Sequence, residues 1–110
     1  MNKDTAPEPE VSRDELADAL ANGAQLIDVR EPNEYEHGHV PQAQLIPLAV
    51  VMEQHENLDR HRPVYVICAA GVRSMAAAGA LRQVGIDAHS VAGGTNAWIE
   101  EGRPTQTGSD

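Results

Sequence analysis

The chain has 110 residues, with 8 basic and 17 acidic side chains and a formal net charge of −9. That length suits one domain, which at this size buries about two thirds of its unfolded surface without a metal or disulfide staple. The acidity argues against sequence-independent binding to nucleic-acid phosphates or anionic membranes. The single cysteine excludes an internal disulfide and a multi-thiolate metal site within the chain.

Residues 1–9 are polar, contain Pro7 and Pro9, and read as a disordered lead-in. They lack the apolar run of a signal peptide. Ser12-Arg13-Asp14-Glu15 is a capping box, and Leu16, Ala19 and Leu20 follow it on one helical face, with Gly23 as the stop. Gln25 to Val29 reads as a short buried strand. Pro32 to Glu36 opens a helical turn that Gly38 ends. Gln44-Leu45-Ile46 is a second short strand, stopped by Pro47, and Leu48 to about Asn57 has helical spacing.

Val64-Tyr65-Val66-Ile67 is the strongest strand signal and is expected at the centre of a sheet. Ser74 to Val84 is an Ala-rich helix, with Gly85 beyond it. Ala88 to Val91 is the last strand. Thr95 is placed to cap a final helix, Asn96 to Glu101, ended by Gly102 and Pro104. Residues 105–110 are expected to fray, so the folded domain is read as 10–104. The longest apolar stretch, Leu45 to Met52, is too short to span a bilayer and is broken by Pro47. A soluble protein of a reducing, cytoplasmic compartment is expected.

Strands alternating with helices at short intervals indicate an α/β domain with a mostly parallel sheet. Ligands of such sheets bind beyond the carboxyl ends of the strands. Chemistry is therefore expected just after Val29, Ile46, Ile67 and Val91.

Cys68 stands at one of those ends, in the segment Cys68-Ala69-Ala70-Gly71-Val72-Arg73-Ser74, which leads directly into a helix. A strand–loop–helix junction points backbone N–H groups inward, and the helix start adds partial positive charge. Both favour a thiolate. Gly71 permits backbone conformations that a side chain blocks. Ala69 and Ala70 leave the loop open, and Arg73 supplies a cation able to fork onto an oxyanion. The alternative is a buried core thiol, a common place for a free cysteine. The flanking glycine, arginine and helix start favour the nucleophile.

Further along the chain stand Asp28-Val29-Arg30-Glu31-Pro32 with Glu34-Tyr35, Gly38-His39-Val40-Pro41 with Ala43, Gly93-Gly94 with Trp98, and Gly102-Arg103-Pro104. In this order, together with the cysteine loop, they resemble the signatures of the rhodanese-like single-domain sulfurtransferases. The resemblance covers about residues 11–104. It implies a three-layer domain, a mostly parallel five-stranded sheet with helices on both faces. It also implies a sulfur-transfer cycle without a cofactor, in which Cys68 takes sulfur from a small anionic donor such as thiosulfate. The resulting persulfide is passed to a thiol or cyanide.

Carried over by motif, Arg30 and the loop from Ala69, Ala70, Gly71 and Val72 to Arg73 are the donor-binding groups. Asp28, His39, Gly93, Gly94 and Trp98 are structural supports. Arg30 has an alternative as the ion-pair partner of Glu34 or Glu31, and Arg73 as a partner of Asp28. The chain departs from the family pattern at Ala69 and Ala70, where many members carry polar side chains, and at Gln42, where a glycine is common. His37, His55, His61 and His89 have no metal-ligand spacing with one another, and no metal is expected.

A cysteine phosphatase or arsenate reductase shares the thiolate-and-arginine logic. Its signature places one residue more between Cys and Arg than the four found here. A persulfide relay serving a protein partner is the other reading. A monomer is expected, with no nucleic-acid or membrane partner. Residues 1–59 carry a net charge of −10 and residues 60–110 of +1, so the half holding Cys68 is nearly neutral.

Overall fold

The computed structural model describes residues 9–109. The expected disorder of residues 1–9 lies outside these, apart from Pro9. In chain order the elements are β1 (Glu10–Val11), α1 (Arg13–Ala21), β2 (Gln25–Asp28), α2 (Pro32–His37), β3 (Ala43–Leu45), α3 (Leu48–Val51), β4 (Val64–Ile67), α4 (Val72–Gln83), β5 (Ala88–Val91) and α5 (Gly94–Glu100). A short 3-10 turn, His55–Asn57, lies between α3 and β4. The five strands form one sheet in the order β1-β5-β4-β2-β3, and every pairing is parallel.

Strand alternation sends side chains to two separate cores. Ile27, Val29, Val64, Val66 and Cys68 pack with Ala77, Ala78 and Leu81 of α4. On the other face Leu26, Ile67 and Val91 pack with Leu16, Tyr35 and Trp98 from α1, α2 and α5. The sheet is thus sandwiched between helices, as the three-layer expectation required. With no phenylalanine, these cores are built mainly from small aliphatic side chains. Among the described residues no helix is long and apolar enough to cross a membrane.

The connections decide where the site lies. From β2 the chain runs outward through α2 to the edge strand β3, then returns across the sheet to β4. From β4 it runs the opposite way to β5. The carboxyl ends of β2 and β4 therefore flank a crevice where the strand order reverses, the usual ligand position in open α/β sheets. Asp28 is in register with Ile67, and the Val29 amide donates to the Ile67 carbonyl at 3.0 Å. Arg30 and Cys68 thus leave the sheet side by side.

Four local expectations are corrected. The helix expected from Leu48 to Asn57 ends at Val51, because Glu53 and Gln54 fold back in tighter bonds to the Val50 and Val51 carbonyls. The last helix starts at Gly94, with Gly93 rather than Thr95 at its cap. Glu10–Val11, left out of the expected strands, adds a fifth strand against β5. The tail expected to fray is held at two of its described residues: Gln106 exchanges two backbone bonds with His39, and the Gly108 amide donates to the Glu36 carbonyl. It satisfies backbone groups that the end of α2 leaves open.

Gln42 is the only non-glycine described residue with positive φ, at 77°. It follows Pro41 in a turn closed by the Ala43 amide on the Val40 carbonyl at 3.1 Å. This is the third position of a type II turn, which favours glycine. The left-handed strain outweighs the chain entropy glycine loses on folding, so Gln42→Gly is expected to stabilise the protein by about 0.5–1 kcal/mol. Reversible thermal or urea unfolding checks this; a lower stability than wild type contradicts it.

Candidate functional site

The Cys68 residue is 1 % exposed at the end of β4. Its Sγ accepts from the amides of Gly71 at 3.1 Å and Ser74 at 3.3 Å. It also lies 3.3 Å from the Ser74 hydroxyl, which in turn is 2.7 Å from the Ser90 hydroxyl on β5. Gly71 occupies the N-cap of α4 with φ 102°, a left-handed conformation suited to glycine. It has no side chain to satisfy the open amides of the first helical turn. The sulfur does so instead, as a serine or aspartate oxygen does at an ordinary N-cap.

Burial pushes the Cys68 thiol up, since it penalises the charged form. Hydrogen bonds from the Ser74 hydroxyl and from the Ser74, Gly71 and Ala70 amides outweigh that and hold it below the ordinary thiol range. The dipole of the 12-residue α4 acts in the same direction.

Gly94 supports the loop from above. The Thr95 amide donates to the Cys68 carbonyl at 2.8 Å and the Asn96 amide to the Ala69 carbonyl at 3.0 Å. A Cβ on Gly94 would lie 2.5 Å from both of those carbonyl oxygens. The Thr95 hydroxyl is buried without a hydrogen-bond partner. Trp98 lies in the core beneath α5 and donates from Nε1 to the Pro104 carbonyl at 2.6 Å.

The two arginines exchange the partners considered from the sequence. Arg30, 5 % exposed, grips Asp28 through Nε and Nη2 at 2.8–3.1 Å, and its Nη2 also donates to the Gly38 carbonyl at 2.9 Å. Arg73 forms a two-pronged pair with Glu34 at 2.9 and 3.0 Å. Asp28, fully buried, also accepts from the Arg30 amide and so fixes the end of β2. His39 is buried, stacked on Tyr35 at 3.6 Å, and bonded through Nδ1 to the Tyr35 carbonyl at 2.8 Å. Gly93 turns the chain into α5 beside the Arg13 guanidinium.

A cavity of about 350 Å³ opens beside the loop, with Arg30, Glu34, Gly38, Ala69, Asn96 and Ile99 among its lining residues. Cys68 and Arg73 are not among them. An apolar cavity of about 370 Å³ lies elsewhere, lined by residues that include Leu20, Gln42, Trp98 and Pro104. It contains none of the groups around Cys68, so the smaller, polar cavity is the one that adjoins the chemistry.

Two residues in contact with this centre, Ser74 and Ser90, and a third at its rim, Glu34, were absent from the sequence-derived set. Ser74 could have been found as the third residue of α4, where an amide needs an acceptor. Ser90 could have been found as a hydroxyl in a short strand bounded by the apolar Ala88 and Val91. Nothing in the local sequence of Glu34 pairs it with Arg73, 39 positions away.

The match to the family model for the rhodanese-like domain covers residues 12–101. The chain belongs to this family. A rhodanese-related protein from Thermoplasma volcanium superposes with a TM-score of 0.84 at 34 % identity, over 90 % of this chain and 98 % of that one. The uncharacterized protein YqhL of Bacillus subtilis is 43 % identical over 76 residues, which are 68 % of this chain and 60 % of YqhL. The thiosulfate sulfurtransferase GlpE of Pseudoalteromonas translucida is 31 % identical over 74 residues, 66 % of this chain and 70 % of GlpE. This rhodanese-like domain therefore spans about three fifths of one curated relative's length and about seven tenths of another's.

Two outcomes follow from the geometry. Gly94→Ala is expected to cost about 2–4 kcal/mol, combining left-handed strain with overpacking against two carbonyls. Gly23→Ala, at φ 81° with no atom within 4 Å of the added carbon, should cost only the strain. Equal losses for the two in urea unfolding would refute the close approach. Ser74→Ala removes a hydroxyl that favours the thiolate, so the thiol must titrate at higher pH. The rate of alkylation of Cys68 by iodoacetamide, measured against pH, should have its midpoint displaced upward from wild type; an unmoved midpoint excludes the hydroxyl's contribution.

Proposed function

We propose that this domain is a sulfurtransferase that carries sulfane sulfur as a Cys68 persulfide. The observation that carries this reading is the convergence of the Gly71 and Ser74 amides and the Ser74 hydroxyl on one sulfur atom. Family membership and a relative named as a thiosulfate sulfurtransferase support it.

In the first step the Cys68 thiolate attacks the outer sulfur of a donor. A bond from Sγ to that sulfur forms, the bond from the sulfur to the rest of the donor breaks, and the donor remnant leaves with the electron pair. In the second step a cyanide or thiolate acceptor attacks the outer sulfur and Cys68 departs as thiolate. The terminal sulfur of the persulfide is anionic, and the open amides at the start of α4 and in the loop stabilise it as they would an oxyanion. Each hydrogen bond to a charged group contributes roughly 1.5–3 kcal/mol. The chain has no second cysteine to resolve the persulfide, so the sulfur leaves to an external acceptor.

Phosphatase chemistry fits the geometry less well. It needs the loop arginine to clamp phosphoryl oxygens, and here Arg73 is held by Glu34. A protein acceptor is a second reading, favoured by Val72, which is 78 % exposed on the loop, and by the partly exposed Met75 one turn further along α4.

Incubation with excess sulfane-sulfur donor, thiosulfate or methanethiosulfonate, should add the mass of one sulfur atom to the wild-type chain and none to Cys68→Ser. Cyanide should then release that sulfur as thiocyanate. Intact mass spectrometry without reductant reads both steps. Wild-type protein that stays unmodified with both donors, or a serine variant that still turns over, would sink the proposal.

A further inference from the structure

Within the sulfur-transfer reading, the arrangement of charge around the cavity bears on which donors the site takes. The cavity beside the loop contains two ionised side chains, Arg30 and Glu34. Each is already matched: Arg30 by Asp28, and Glu34 by Arg73. The four formal charges cancel. The exposed loop positions Ala70 and Val72, and the half-buried Ala69, bring no charge or side-chain hydrogen bond. Glu31 and Glu36, exposed beside and on α2, add negative charge to the segment that carries Glu34.

Glu34 is the residue that sets this balance. One of its oxygens takes Arg73 Nη1 and the Glu31 amide, each at 2.9 Å, and the other takes Arg73 Nη2 at 3.0 Å. Hydrogen bonds from Arg73 hold its carboxyl at about 2, so the pair stays ionised at neutral pH. The geometry therefore removes from the loop the cation that a doubly charged donor needs when it gives up its water.

We propose that Glu34 is a specificity-determining residue which, by neutralising Arg73, makes the site favour sulfane-sulfur donors with an organic group and at most one negative charge over dianionic thiosulfate. The transfer balances for such a donor. With an organic persulfide, Sγ bonds to the outer sulfur, the bond between the donor's two sulfurs breaks, and the organic thiolate leaves with the electron pair. No external oxidant or reductant is consumed.

Methanethiosulfonate and thiosulfate form a matched pair of probes, since a methyl group in one replaces a charged oxygen in the other. The readout is thiocyanate formation with cyanide as acceptor, taken as the ratio of kcat/KM for methanethiosulfonate to kcat/KM for thiosulfate. Glu34→Gln keeps an acceptor for the Glu31 amide but removes the charge that balances Arg73. Freeing one cation near the donor should lower the ratio by about tenfold. General damage to the site lowers both rates together and leaves the ratio in place, so a ratio within twofold of wild type overturns the proposal.

Ionic strength supplies an arm that needs no variant. In wild-type protein, added salt should raise kcat/KM for thiosulfate more steeply than for methanethiosulfonate, because screening weakens repulsion of the dianion. A fall with salt for thiosulfate overturns the proposal. Failure of both donors to place sulfur on Cys68 is a different result: it removes the sulfur-transfer reading itself, and the specificity argument with it.

Discussion

The site depends on one substitution of roles: a cysteine sulfur stands where a helix cap belongs. An α-helix begins with N–H groups that its own turns cannot satisfy. At α4 the N-cap is Gly71, which has no side chain to offer. The Cys68 sulfur accepts the Ser74 amide across the loop. The helix needs an acceptor and the sulfur needs donors, so the same bonds anchor α4 and favour the thiolate. Structure and reactivity are coupled at this atom, and that coupling is why a nearly buried thiol lies below the ordinary range despite burial acting the other way.

This arrangement requires close approach on every side, and the composition supplies it. Ala77 and Ala78 let α4 lie near the sheet, and Gly94 lets α5 bring two amides onto the Cys68 and Ala69 carbonyls. The loop is thus held from its carbonyl side by α5 while its amide side faces the sulfur. The buried hydroxyls of Ser74 and Ser90 satisfy each other, so the hydroxyl beside the sulfur is itself oriented.

The electrostatics of the crevice follow a second constraint. Burying a guanidinium is costly unless it is paired and hydrogen-bonded. Arg30 meets that cost with the buried Asp28 and the Gly38 carbonyl. Arg73, half-buried at the rim, takes Glu34. Both pairs tie the start of the β2–α2 segment to its surroundings, and both spend positive charge that the motif pattern had assigned to a donor. An acidic chain can thus present a cavity in which the formal charges cancel.

Much of this protein was legible in its residues. The capping box at Ser12 and Glu15 forms with both bonds present, because it is a contact within four residues. The strands β2, β4 and β5 and the helix α4 announce themselves through apolar runs and alanine content, which are local signals of burial and propensity. The strand–glycine–helix junction by itself implies that Cys68 lies among amides, and the Gly71 and Ser74 amides do converge on its sulfur. Order along the chain carried the family resemblance, and the match over residues 12–101 bears it out.

What the tertiary structure decided were the partnerships across sequence distance. Arg73 meets Glu34 and not Asp28 because β2 and β4 lie side by side with their ends in register, and Arg30 then closes a local pair with Asp28, two residues away. Ser90 reaches Ser74 only because β5 pairs with β4 under α4. The two residues of β1 carry no strand signal of their own and become a strand by borrowing the open edge of β5. Local patterns specify which residues are buried and which backbone turns are allowed. Which charge offsets which depends on three-dimensional neighbours, and neighbours are set by sheet order, which no short stretch of sequence contains.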